Sequence, residues 1–107
     1  MDAKEFVKNL KKEKDDMFEL YTSNNGETEV SALINKLDLN SEQKEKLKPV
    51  IDTLLTDTYY SILLGLDGSG SLGGIQQTYK IYDEDNNLIS DCGEIEAEAW
   101  EQFHGSE

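Results

Sequence analysis

The stretch "IQQTYKIYDEDNNLISDC", residues 75–92, decides the fold class. Polar and apolar residues alternate over IQQTYKIY (75–82), which puts Ile75, Tyr79 and Ile81 on one face. DEDNN (83–87) has the Asp/Asn composition of a turn, and LISDC (88–92) follows as a short apolar run. This pattern predicts a β-hairpin over 75–92.

Upstream the period changes. Ile51, Leu54, Leu55, Thr58, Tyr59, Ile62, Leu63 and Leu66 form a broad apolar band at helical spacing. Asn40 and Gln43 make a capping box ahead of it. Pro49 leaves two readings open: a kinked helix, or a short turn ending at Lys48 with Pro49 opening a new helix. Residues 4–21 read as a helix with Phe6, Leu10, Met17 and Tyr21 in one stripe and its lysines and acids on a solvated face. TSNNGE (22–27) breaks it, and Val30, Leu33, Ile34 and Leu37 carry a short second helix. Downstream of the hairpin, Asp91 and Glu94 suggest a capping box for a last helix over 94–103, with Ile95, Ala99, Trp100 and Phe103 facing inward. The expected architecture is α+β, in the order α-α-α-β-β-α, with a helical layer packed on the hairpin. All 107 residues form one small domain. A two-stranded hairpin is marginal alone, so a homodimer through its free edge is an alternative to a monomer.

Charge bounds the function. The chain has 10 lysines, no arginine and 23 acidic residues, for a net charge of −13. Residues 1–50 are net −2 and residues 51–107 net −11, with Lys80 as the only cation of the second half. Such a surface repels phosphate backbones, so neither nucleic acid nor an anionic membrane is an expected partner. A basic protein is favoured electrostatically. The competing reading is a surface that only keeps the protein soluble. No run reaches the length of a membrane span, the first residues lack a signal peptide's apolar region, and a single cysteine excludes an internal disulfide framework. A cytoplasmic location is the expectation.

Four groups of residues could carry chemistry. Gly68, Gly70 and Gly73, followed by Gly74 and Ile75, match G-x-G-x-x-G-x-[VI], the phosphate-covering loop of kinases. Here a helix precedes the loop, a strand is expected after it, Asp67 adds negative charge and Lys80 is the nearest cation, so a helix cap and flexible turn explain the glycines better. Asp83, Asp85, Asn87, Asp91 and Glu94 occupy positions 1, 3, 5, 9 and 12 of an EF-hand-like count, which makes calcium or small-ligand binding the alternative function. Leu88 stands where that loop needs glycine. Cys92 and His104, the only cysteine and histidine, could pair as nucleophile and base, but Asp91, Glu94 and Glu96 should keep the thiol protonated. Finally, Glu94, Glu98 and Glu101 share one outer face of the last helix. Together with Tyr60 and Tyr82, which fall off the core faces, they are the candidate partner-binding residues. No metal, cofactor or enzymatic activity is expected.

Residues 63–104 carry an L-D-G-x-x-S-L-G core (Leu66, Asp67, Gly68, Ser71, Leu72, Gly73) and a closing segment with Glu94, Glu96, Ala99, Trp100, Phe103 and His104. This resembles small acidic proteins of bacterial origin in which a hairpin joins the two. The pattern has no established activity, so the resemblance implies no catalytic residue. By size and charge the chain also has the look of immunity proteins of toxin systems. The sequence therefore points to a non-enzymatic, acidic protein-binding module, immunity-like or inhibitory toward a basic partner.

Overall fold

The longest apolar pattern folds as a single helix. In the computed structural model, which describes residues 1–105, α3 runs unbroken from Ser41 to Asp67. Its predicted capping box is present: Gln43 N donates to Asn40 Oδ1 at 2.9 Å, and Asn40 N donates to Gln43 Oε1 at 2.9 Å. Pro49 sits inside the helix and does not end it. The other helices are α1 (Ala3–Thr22), α2 (Glu29–Lys36) and α4 (Glu94–Phe103). α1, α3 and α4 pack against one another, while α2 rests on α1 alone.

The α+β expectation is overturned: the described residues contain four helices and no strand. The chain does reverse where the hairpin was expected. Two isolated antiparallel bridges, Leu72–Ile75 and Tyr82–Leu88, mark two tight reversals. The physical reason for the missing ladder is Ser90. Ile89 N reaches Ile81 O at 2.7 Å, but the next pairing is intercepted by a side chain. Ile81 N donates to Ser90 Oγ at 2.9 Å, and that hydroxyl donates to Tyr79 O at 2.6 Å. The buried hydroxyl thus satisfies a donor and an acceptor that a second strand would otherwise have paired. Among the described residues there is accordingly no strand of the kind whose edge was expected to pair with a second copy.

The core sits at one end of the molecule. Ala3, Val7, Leu63, Ile89, Ile95 and Ala99 are buried together, with Phe6, Leu10, Tyr60, Ile81 and Phe103 packed around them. The loop at 68–93 closes this end by contributing Ile81 and Ile89. Toward the other end α1 and α3 are held by half-buried contacts and by one polar tie. Lys14 is only 4% exposed, and its ammonium bonds Asp52 of α3 and, at 3.4 Å, Asp15. Burial alone would push the Asp15 carboxyl up, but Lys11 and Lys14 hold it below the ordinary range. Lys14 was expected on the solvated face of its helix and is instead an interior residue. Nearby, Tyr59 of α3 donates its hydroxyl to Met17 Sδ of α1 at 3.2 Å, and burial raises the pKa of that phenol.

Helix α2 is rotated relative to expectation. Its fully buried residue is Ser31, the partner of Thr28 in a capping box, while Leu33 and Leu37 are 53% and 60% exposed. The apolar face read from the sequence is left largely uncovered, with only Ile34 on it half-buried.

Candidate functional site

Helix α4 owes its position to a carboxylate from another helix. Its N-cap is Gly93, which has no side chain to accept from the first turn. Asp67, the last residue of α3, supplies the acceptor: Glu96 N donates to Asp67 Oδ2 at 3.1 Å. The expected Asp91–Glu94 box does not form, because Asp91 Oδ1 accepts from Cys92 N and Glu94 N donates to the Asp91 backbone carbonyl. Asp67 is buried and its Oδ1 has no partner; burial raises its pKa, with the Glu96 amide working in the opposite direction.

With Ile95 and Ala99 locked into the core, Trp100 falls a further 100° around the helix and is turned outward. It is 56% exposed, which corrects the expectation that it faces inward. Its ring lies 5.4 Å from His104 and 6.5 Å from Tyr60, and His104 meets Tyr60 edge-on at 4.6 Å. Tyr60 packs on the core, so the cluster is anchored from below and open above. His104 is half-buried and donates its amide to Trp100 O at 2.9 Å. No hydrogen bond joins it to the exposed Cys92 among the described residues.

The acidic candidates flank this cluster. Glu96 lies one turn before Trp100 on the same edge of α4. Glu94, Glu98 and Glu101 share the other outer side, as expected from their spacing. Glu98 is half-buried and accepts from Gln102 Nε2 at 3.2 Å, and that amide also donates to Lys4 O. Glu94 and Glu98, with Asp2, Ala3, Lys4 and Ala97, line a shallow hollow of about 330 Å³. Tyr82 is exposed but belongs to the reversal at 82–88, outside the aromatic cluster.

The EF-hand-like set is used otherwise. Asp83 Oδ1 accepts from the amides of Asp85 and Asn87, each at 2.9 Å. Asp83 Oδ2 accepts from Asn87 Nδ2 at 3.0 Å and from the Met1 ammonium at 2.6 Å. The ammonium and the Asn87 donors hold the carboxyl far below the usual range. Asp83 organises a turn and ties the chain's first residue to it, which leaves its oxygens saturated. Among the described residues, no group of three His, Cys, Asp or Glu side chains is placed to hold a metal ion.

The glycine loop also has a local account. Gly68 ends α3 in the left-handed conformation at φ 87°, and a Cβ there would lie 2.6 Å from Thr78 Oγ1. Gly73 and Gly74, at φ 61° and 82°, form the two-residue reversal between Leu72 and Ile75, where type I′ geometry requires positive φ twice. Gly70 packs beside Leu64. Gln76 Nε2 donates to Gly68 O at 2.9 Å, and among the described residues no lysine hydrogen-bonds the loop. No described helix is long and apolar enough to cross a membrane. Comparison with protein families, curated proteins and solved structures finds no match to this chain.

Proposed function

We propose that this chain is a non-enzymatic binding module for a basic protein and that α4 is its contact element. The observation that carries the reading is the exposed Trp100 ring, braced by Tyr60 and His104 and flanked by acidic side chains. A large, rigid aromatic with little conformational freedom left to lose is the kind of group that dominates binding energy. Glu94, Glu96, Glu98 and Glu101 supply a field that steers a cationic surface toward it. An immunity-like inhibitor that covers a basic active site is the specific form of this reading, and a cytoplasmic location belongs to it.

The test uses purified basic proteins as probes, with binding followed by titration calorimetry, a readout that does not depend on Trp100, the only tryptophan. Binding should weaken steeply with salt. Trp100→Ala should weaken it at least about tenfold, in the range of an interface anchor. Lys in place of Glu94 and Glu101 should lower the association rate more than it raises the dissociation rate. If Trp100→Ala and the double charge reversal leave the affinity unchanged, α4 is not the contact element and the reading fails.

A further inference from the structure

The far end of the molecule from the core exposes an apolar seam that nothing among the described residues covers. On α3, Val50 and Leu54 are 59% and 63% exposed, and half-buried Leu47 precedes them on the same face. The spacing 47, 50, 54 is the three-then-four step of a helix that packs lengthwise on another helix. α2 does not cover this face; between it and α3 runs a groove of about 220 Å³ floored by Ile34, Leu47 and Ile51.

We infer that this seam pairs antiparallel with the same seam of a second copy of this chain. Charge selects the occupant. The −11 half of the chain would repel its own copy, whereas the seam begins in the near-neutral half that holds nine of the ten lysines. Charge also selects the direction. Lys46 and Asp57 are 11 residues apart, about three turns of helix, so both lie on the same edge of the seam. A two-fold axis crossing α3 between Val50 and Leu54 sets Val50 against the second copy's Leu54. The same operation keeps each edge on its own side and brings Lys46 beside the second copy's Asp57, twice per dimer. A parallel two-fold pairing would instead put the two Lys46 side chains on opposite sides of the seam at one level and the two Asp57 side chains at another, with no lysine beside an aspartate. Within one chain Asp57 has no ion-pair partner among the described residues, and Lys46 has only Glu42 at 3.3 Å, with both side chains about three-quarters exposed. This surface is separate from the α4 cluster and does not depend on its role.

Sedimentation equilibrium over a wide concentration range tests the inference. The expected result is a reversible shift from the 12.1 kDa chain toward twice that mass. Leu54→Glu should weaken association at least tenfold while the far-UV circular dichroism stays unchanged, since the side chain is exposed. Lys46→Glu and Asp57→Lys should each weaken it, and the two together should restore it. A monomer at every concentration up to roughly millimolar, where weak specific pairs are populated, overturns the proposal. So does a dimer indifferent to Leu54→Glu. A double charge exchange that fails to restore association overturns the antiparallel register.

Discussion

At the scale of single residues, two aspartates at the ends of turns pull the pH dependence in opposite directions. Asp83 has a depressed pKa, so its contribution is present above the ordinary carboxylate pKa of 3.8 and is lost as pH falls below it. Asp67 has a raised pKa, so the folded state holds its proton more tightly than the unfolded chain does. Stability is then greatest below 3.8 with respect to this group and declines as pH rises through its folded value. Asp67→Asn keeps an oxygen for the Glu96 amide and removes the buried charge. The expected outcome is that the variant's melting temperature, relative to the parent chain, improves as the pH is raised from 3.8 toward neutrality, because the parent must give up a proton that its folded state holds more tightly. Asp67→Ala removes the cap as well as the charge, so it should be less stable than Asp67→Asn by about 1 kcal/mol at any pH. Thermal melts of both variants across that range check the sign. A flat difference for Asn would mean that the burial of the charge has no energetic consequence. The turn around Asp83 was legible in DEDNN, but its tie to Met1 was not, and Asp67 reads only as one acid at a helix end whose partner lies 29 positions away.

At the scale of elements, α3 carries an internal proline that its other interactions override. Pro49 removes one amide from the helical ladder, and its ring crowds the carbonyl four residues earlier. The helix persists because the capping box holds its start and the Lys14–Asp52 and Tyr59–Met17 contacts hold its middle to α1. Pro49 is exposed, so Pro49→Ala should stabilise the protein, by about 1–3 kcal/mol. Urea unfolding with an unchanged slope would report it, and a loss of stability would mean that the proline shapes the seam beside it. Helix periodicity made α1 and α4 readable to within a residue, and the Asn40 box placed the start of α3, but Pro49 left open whether α3 continued past it. Two features could not be read. The alternation in 75–82 is the pattern of a strand, and only the position of Ser90 in space shows that a hydroxyl replaces the ladder. The apolar stripe of α2 is equally clear in sequence, but a stripe does not say what it will face, and here a capping serine takes the buried side. Trp100 failed for the same reason, since Ala99 claims the core position and the ring beside it is left outside.

At the scale of the whole molecule, stability should be distributed along the long axis. The chain measures 47 × 29 × 28 Å with a radius of gyration of 16.3 Å, against about 13 Å for a compact domain of this length. The 27-residue α3, about 40 Å long at 1.5 Å per residue, sets that axis. Among the described residues, the six buried apolar ones lie at the end formed by the start of α1, the end of α3, α4 and the loop that closes them. Local opening free energy follows buried apolar contact, so the two ends should open separately. Amides of α2, which rests on one helix and exposes Leu33 and Leu37, should exchange fastest among the helical ones. Amides near Leu63, and those of α4 after its first turn, should exchange only through global unfolding. Hydrogen exchange at low protein concentration measures this gradient directly. Raising the concentration adds a second, separable signal: if the α3 seams pair, protection should grow around residues 47–58 and leave α4 as it was. Uniform protection along α3 in the dilute protein would overturn the gradient, because it would mean that the half-buried end is held as firmly as the core.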